Sequence, residues 1–529
     1  MALTRIQVSR LIPGISKAVL FPLGFDAAPE SRDPVGAPPN VAQSAVHVAA
    51  LPQPAGVWLV DNDEAYRAIA SAVTAAQTSI SISQLAFDAN FTVPSIADGV
   101  STPFIDLLLS AASERGVRVR ILLNATLLID TLRPLRQFLA TNSPECANLE
   151  LRGVSCFPSL LHAKIVVVDS KTAFLVGSPF VNGYWDSRLH RPRDTARPME
   201  ELGGRPLHDV SVQVSGDPVR NIESFFEELW DVGLRRPPSV AKTLNASVSI
   251  DVTAPSGVLP SRSNGATEIL RTIEREIANA DSLIYLEQQY LSSRRVFAAL
   301  RDALEREPGL EIIIVSNQNP DITAYAQWQL ANFRTFGMID HPRVGIFALW
   351  SAANDSGRLT VNQVFVHSKV VIVDDRCAMC GSANLDGVSL HSYGADFSGI
   401  GRRIFHNVRN IDVNLTVCGD DGCSQMSAKS LRHRLWSEHL GADAENMERP
   451  DGGWVGLWRE SARRNVSSLR SGKAPKNGTF ILPFVANSQP SRQLRELGVS
   501  EKSGSMELLY NPGSFERRFG LGWVRNMFL

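Results

Sequence analysis

Long apolar runs are missing from this chain. No stretch of about 18 or more apolar residues occurs in its 529 positions, so no membrane-spanning helix is expected. An excess of one charge is missing too. Lysine plus arginine number 53 and aspartate plus glutamate 54, for a formal net charge of −1. That excludes binding nucleic acid by bulk charge and leaves only local basic patches. Cysteine is scarce, and six in a chain this long do not make a disulfide framework. Cys377 and Cys380 form a Cys-x-x-Cys string with no second pair or histidine cluster beside it. Their odd spacing on an apparent strand puts them on opposite faces, so neither a zinc nor a redox role is expected. Cys418 and Cys423 are spaced to bridge a short loop in an oxidising compartment. Nothing has metal-ligand spacing, and neither a metal nor a cofactor is expected. Pro13 and Gly14 interrupt the N-terminal residues 1–25, and no small-residue cleavage site follows an apolar core, so a secretion signal is not supported. With 44% hydrophobic and 20% charged residues, what remains is a soluble globular chain of two or three domains, cytoplasmic or secreted.

What is there is a repeat. Tyr66, Ile69, Ala70 and Val73 recur at helical spacing after Asp61-Asn62-Asp63, and Ser79-Ile80-Ser81-Ile82-Ser83 then alternates like a strand. Ile269, Ile273 and Ile277 mark a second such helix, followed by the strand-like Leu283-Ile284-Tyr285-Leu286. The two stretches hold an almost constant offset. Gln84 matches Gln288, His162-Ala163-Lys164 matches His367-Ser368-Lys369, Asp169 matches Asp374, and Leu229-Trp230 matches Leu435-Trp436. Asp209, opening one alternating strand, matches Asp412, opening another. Chance does not preserve both identity and order, so the chain is read as a duplicated unit of alternating helices and strands, an α/β layered architecture. The expected boundaries are an irregular lead-in (residues 1–55), a first half (56–240), a linker (241–262), a second half (263–445) and a C-terminal extension packed on the core (446–529).

Each half carries His-x-Lys-x4-Asp: His162, Lys164 and Asp169, then His367, Lys369 and Asp374. Residues i and i+2 of a strand share a face, so each His and Lys project together, followed by four apolar residues. A polar pair at the end of a buried strand is costly unless it is used. Two copies packed about a pseudo-two-fold axis would share one pocket. Two lysines there make an anion site suited to a phosphoryl group. Two histidines supply a nucleophile and a general acid/base near neutral pH. Asp209 and Asp412 are the symmetric acceptors expected to orient them, while Asp169 and Asp374 begin the turn after each strand.

With those residues in hand the chain resembles the phospholipase D superfamily, whose signature is His-x-Lys-x4-Asp-x6-Gly-Ser-x-Asn. The second half matches in full, with His367, Lys369, Asp374, Gly381, Ser382 and Asn384. Ile284-Tyr285-Leu286-Glu287-Gln288-Gln289-Tyr290, Leu435-Trp436-Ser437-Glu438-His439-Leu440-Gly441 and His208-Asp209 are similar to strings of two-motif phospholipases D. The first half departs from the pattern: Pro179 and Phe180 follow Gly177-Ser178 where the family has x-Asn, with Asn182 the nearest substitute amide. The resemblance implies a duplicated α-β-α sandwich whose pseudo-two-fold related halves share one active site. It implies catalysis by His162, His367, Lys164, Lys369, Asp169, Asp374, Asp209 and Asp412, with phosphate held by Lys164, Lys369, Ser382 and Asn384. The first-half His162 is then the nucleophile and His367 the acid, with no metal required.

The reaction this implies is hydrolysis of the distal phosphodiester of a glycerophospholipid to phosphatidic acid and a head-group alcohol. Transfer to a second alcohol (transphosphatidylation) shares the same phosphohistidine intermediate. The expected partner is phospholipid at a membrane or micelle surface, met by a monomer without a transmembrane segment, and no nucleic acid is expected. Apolar residues near the motifs fit a lipid mouth: Phe157, Leu160, Leu161, Phe180, Tyr184 and Trp185, with Tyr325, Trp328, Phe333, Phe336 and Met338. The alternatives are a phosphatidyltransferase of the cardiolipin synthase type and a nuclease. For the nuclease, Arg188, Arg191, Arg193 and Arg197 would be the basic cluster, diluted by Asp186, Asp194, Glu200 and Glu201.

Overall fold

A computed structural model describes residues 56–94, 101–126, 131–143, 146–197, 205–232, 247–318, 320–355, 357–396, 403, 405–419, 425–441, 448–486, 490–499 and 506–509. The expected lead-in 1–55, Cys423, Glu200 and Glu201 lie outside them.

The duplication is written into the sheets. In the first, seven strands run in the order Gly56–Val60, Val210–Ser215, Thr172–Leu175, Ile165–Val168, Ser79–Gln84, Arg118–Asn124, Leu149–Val154. In the second, the same order recurs as Val248–Ala254, Asp412–Cys418, Cys377–Gly381, Lys369–Val373, Leu283–Gln288, Glu311–Ser316, Val344–Asp355. In each half the first four pairings are antiparallel and the last two parallel. One boundary is corrected by this match. Val248–Ala254, inside the stretch expected as linker, is the counterpart of Gly56–Val60 and belongs to the second sheet.

The sequence explains the layering. In Ile165–Val168, Ile165 and Val167 enter a core shared by both halves while Val166 and Val168 face the first half's own helices. In Lys369–Val373, Val370 and Ile372 enter the shared core while Val371 and Val373 face the second half's helices. Strands apolar on both faces are those buried on both faces. The helices Asp217–Trp230 and Ala428–Leu440 place Phe225, Phe226, Leu229, Leu431, Leu435 and Trp436 in that shared core, each helix packing against strands of both sheets. On the outer side, Ile269, Ile273 and Ile277 are buried from one face of Glu268–Ala278, as their spacing demands.

The described residues of the C-terminal extension are part of the same body. The helix Gly453–Arg470 buries Trp454 and Trp458 in the shared core. Thr479–Pro483 pairs with Val344–Asp355, and Met506–Leu509 with Arg358–Gln363. Among the described residues, no helix is long and apolar enough to cross a membrane.

The cysteine expectation is changed in part. Cys377 and Cys380 do face opposite sides of the sheet, Cys377 in the second half's outer core and Cys380 in the shared one. Cys418, however, is joined by a disulfide to Cys377 on the neighbouring strand rather than to Cys423.

Candidate active site

Each motif histidine is fastened to the opposite half. The His162 and Ala163 amides donate to the Ile411 carbonyl at 2.9 and 2.8 Å, beside Asp412. In the mirror position the His367 amide donates to the His208 carbonyl at 2.7 Å, beside Asp209, and Phe365–Val366 pairs with Leu207–His208. The pairing of histidine with aspartate is therefore crossed between halves. His162 Nδ1 lies 2.6 Å from Asp412 Oδ1, and His367 Nδ1 lies 2.8 Å from Asp209 Oδ2. An ionised carboxylate only accepts, so each Nδ1 carries the proton and each Nε2 is left with its lone pair.

The two Gly-Ser pairs hold the aspartates. Ser382 Oγ donates to Asp412 Oδ1 at 2.7 Å and accepts from the Val413 amide at 3.0 Å. Ser178 Oγ donates to Asp209 Oδ2, accepts from Asn62 Nδ2 at 2.9 Å, and lies 3.3 Å from His367 Nδ1. Ser382, expected to hold phosphate, meets Asp412 here. Ser178 and Asn62 were missed as site residues, although the Gly177-Ser178 match to Gly381-Ser382 was the available signal. Asn384 is buried, and its Oδ1 has no hydrogen-bond partner among the described residues.

Lys164 and Lys369 are both buried. Lys164 Nζ donates to the His162 carbonyl at 2.9 Å. Lys369 Nζ donates to the His367 carbonyl and lies 2.9 Å from the His367 ring at Nδ1. Burial, then the charge of Lys369, lowers Lys164 to about 7 against the pull of Asp412 and Asp209. Burial lowers Lys369 to about 8, with the same two aspartates opposing. Burial and the Lys369 charge bring His367 down to about 3. His162 is lowered by burial and by Lys164. Burial alone would raise Asp209, but the charges of His367 and Lys369 overcome it and set it at about 2. The site thus holds neutral imidazoles, ionised carboxylates and lysines poised to respond to an anion.

The third member of each motif sits elsewhere. Asp169 accepts from the amides of Gln77, Thr78 and Ser79 at 2.9, 2.7 and 3.0 Å. Asp374 accepts from those of Asp281, Ser282 and Leu283, each at 2.8 Å. Each ties the turn after its strand to the start of the neighbouring strand, at the end away from the lysine. The catalytic role expected of Asp169 and Asp374 is corrected to a structural one. The altered first-motif tail has a packing reason. Phe180 stacks on Phe91 at 5.3 Å and meets Tyr66, Phe87 and Phe104 edge-on in the first half's own core. Asn182 is committed to the loop at Asn90 and Thr92 and does not replace the missing amide.

The expected apolar mouth divides. Leu161, Phe180, Phe333 and Met338 are core residues. Tyr184 sits edge-on to the His367 ring at 5.0 Å, in an apolar cluster with Leu85, Leu207, Phe365 and Leu160. Phe157, five residues before His162, is 49% exposed. Part of the arginine cluster is engaged: Arg197 is buried on Asp186 at 2.9 Å and Arg193 pairs with Glu507 at 2.6 Å, while Arg188 is largely exposed, 4.0 Å from Glu438.

Comparison with known proteins finds similar sequences in both halves. A family model described as "Cardiolipin synthase, PLD-like domain" matches residues 69–181 and 273–394, one region in each half. Phospholipase D1 of Saccharomyces cerevisiae is 25% identical over 386 residues, covering 54% of this chain and 22% of that protein. Cardiolipin synthase A of Pseudomonas putida (strain W619) is 27% identical over 238 residues, covering 43% of this chain and 41% of that protein. The crystal structure of phosphatidylserine synthase from Haemophilus influenzae Rd KW20 superposes with a TM-score of 0.49 at 15% identity, over 72% of this chain and 85% of that one. The aligned region spans about a fifth of the first curated relatives, 22% and 21% of their length. Two matched regions, each bearing its own His-x-Lys-x4-Asp string, support the resemblance of the chain to the phospholipase D superfamily.

Proposed function

We propose that this protein is a phospholipase D that cleaves the distal phosphodiester of a glycerophospholipid, releasing the head-group alcohol and leaving phosphatidic acid. The observation that carries this reading is the crossed pair of His–Asp dyads flanked by two buried lysines. It is a two-histidine anion site, with Nε2 of each ring unprotonated and that of His367 3.3 Å from Lys369 Nζ.

Lys164 and Lys369 bind the phosphodiester anion. That anion offsets the lysine charge that helps depress His367, so His367 takes up its Nε2 proton more readily in the complex while His162 keeps its lone pair. His162 Nε2 attacks phosphorus. The bond to the head-group oxygen breaks, and His367 gives that oxygen its Nε2 proton. Water then loses a proton to His367 and attacks phosphorus, the P–N bond breaks, and both rings return to their starting state. His162 is placed as nucleophile because its side chain is 12% exposed against 4% for His367, which leaves it the more accessible to a lipid. The resemblance assigns the first-half histidine the same role. The aspartates hold each ring by Nδ1 and stabilise the imidazolium, as in Ser-His-Asp sites.

Lipid is favoured over nucleic acid by the apolar cluster beside His367, by exposed Phe157, and by the pairing of Arg193 and Arg197 with acidic partners. A second reading, phosphatidyl transfer to an alcohol as in cardiolipin synthesis, is supported by the matched family model and the Pseudomonas relative. It differs only in what attacks the intermediate. Incubation with phosphatidylcholine and a primary alcohol, without added metal, tests both readings. Choline with phosphatidic acid is expected from hydrolysis, and choline with phosphatidylalcohol from transfer. Degradation of single-stranded DNA with no choline released would overturn both.

A further inference from the structure

Behind the catalytic floor lies a second cluster that the reaction does not use. Its members are Asp61, His190, His208 and Glu438, all buried. They are far apart in sequence, which is why no ligand spacing was visible. We propose that these four residues bind one divalent transition-metal cation of the zinc type.

The first support is convergence. His208 Nδ1 lies 2.8 Å from Asp61 Oδ1 and 3.0 Å from Glu438 Oε1. His190 Nε2 lies 3.3 Å from the same Asp61 oxygen and 3.2 Å from the same Glu438 oxygen. Each nitrogen therefore faces both oxygens, and each oxygen faces both nitrogens. A ring N–H has one proton and satisfies one acceptor well, so a pure hydrogen-bond network has no need of this doubling. A tetrahedral zinc ion with ligands at about 2.0–2.2 Å has ligand-to-ligand edges of roughly 3.4 Å; the two His190 contacts are near that, and the two His208 contacts, at 2.8 and 3.0 Å, would have to lengthen to admit the ion.

The second support lies outside the four. Metal-bound histidines commonly give their other ring N–H to a carboxylate, which fixes the tautomer and turns the lone pair inward. His190 does so here, its Nδ1 2.9 Å from Asp186 Oδ2, while His208 Nε2 lies 2.6 Å from Glu287 Oε1 as a close contact without hydrogen-bond alignment. Those carboxylates are themselves held. Asp186 accepts from Arg197 at 2.9 Å and from the Leu207 amide at 2.8 Å. Glu287 accepts from Ser368 and Tyr285, each at 2.7 Å. With a cation bound, the two inner nitrogens would turn lone pairs toward it beside the two carboxylate oxygens; with protons in its place, and against burial, the same carboxylates push both histidines well above their ordinary value. The third support is Asp61 Oδ2, which is buried with no hydrogen-bond partner among the described residues.

The cation would join three ligands of the first half to Glu438 of the second, beneath the His208 carbonyl that receives the His367 amide. It would touch no reacting atom. Its effect would be to fasten the halves and fix the height of His367 over Asp209.

The test uses the full chain, loaded with zinc, desalted and measured by plasma mass spectrometry. About one zinc per folded chain is expected, with a melting temperature that falls on chelation and recovers on adding zinc. Cobalt in place of zinc should give the visible absorption of a four-coordinate ion. His190→Ala and Glu438→Gln should each lower zinc retention by at least ~10-fold, while Cys156→Ser retains it. Should either variant fail to fold, stoichiometry, melting shift and cobalt spectrum of the unaltered chain decide alone. Below roughly 0.1 equivalent of zinc, manganese, iron, cobalt, nickel or copper, with no melting shift on adding zinc, the proposal fails and the cluster is an ion network filled by protons. Full zinc retention in both folded variants would also overturn it, placing the ion elsewhere.

Discussion

One methyl group at Gly177 should disable the site without touching a reacting atom. A Cβ there would lie 2.6 Å from Asp209 Cγ and 2.7 Å from Oδ2. Ordinary carbon contacts need about 3.5 Å or more, so the carboxylate must retreat by about 1 Å. It is buried, with Oδ1 held by the Val210 amide at 2.8 Å, and retreat lengthens its 2.8 Å bond to His367. Stretched to about 3.8 Å, that contact is no longer a hydrogen bond. A hydrogen bond to a charged group contributes ~1.5–3 kcal/mol, and a 1 Å misplacement at a catalytic group costs on the order of 10²-fold. Gly177→Ala should therefore lower kcat by about 100-fold, equivalent to ~2.7 kcal/mol. Gly177 does not have a left-handed backbone, so the methyl adds no strain of that kind. Overpacking should still cost about 1–3 kcal/mol of stability, which a circular dichroism melt would detect. Gly381→Ala is the contrast. Its Cβ would meet the Asn414 backbone at 2.6 Å, so loss of folding should dominate there. Turnover of a folded Gly177→Ala protein within about 3-fold of normal, read as choline release, would refute the positioning role of Asp209.

Other outcomes follow from the same geometry. His162→Asn and His367→Asn should each reduce turnover by at least ~100-fold, and near-normal activity in either would defeat a shared pocket. Asp374→Asn keeps a residue that tolerates the +52° φ but gives up one acceptor among three backbone donors. It should cost ~1–2 kcal/mol in a denaturant titration with kcat per folded enzyme unchanged, whereas a role in proton transfer would cost turnover. The free enzyme's kcat/KM should fall as pH rises through about 7 to 8, because Lys164 (about 7) and Lys369 (about 8) lose there the charge that binds phosphate. Bound phosphodiester holds the lysines protonated, so kcat should decline at higher pH than kcat/KM, and a flat kcat/KM up to about pH 9 would argue against lysine binding.

Sequence spacing carried the duplication, the His/Lys pairs and the orienting aspartates, because each is a local string repeated at one offset. It could not carry the crossing of those pairs. Asp209 lies 47 residues after His162, yet it serves His367, since the segment before each aspartate pairs with the segment before the other half's histidine. Asp169 and Asp374 read as catalytic by motif membership, but a strand of four or five residues carries them to the far end of the sheet. The strand Val248–Ala254 was hidden among turn-forming neighbours, and its place follows from its partner Asp412–Cys418. Leu161, Phe180, Phe333 and Met338 look the same in sequence whether they fill a core or line a mouth. The cluster of Asp61, His190, His208 and Glu438 was invisible for a related reason. Its ligands come from four separate segments, and two of them belonged to strings that had served only to mark the family.

The covalent intermediate is the most direct test of the proposed chemistry. The enzyme should be mixed with phosphatidylcholine labelled in the phosphatidyl part, quenched during turnover under conditions that preserve phosphohistidine, and mapped by peptide mass spectrometry. The predicted result is a phosphatidyl adduct on the peptide bearing His162, and its accumulation when His367 is replaced by Asn and a substrate with a good leaving group is used. An adduct on His367, or rapid cleavage with no adduct on either histidine, would contradict it.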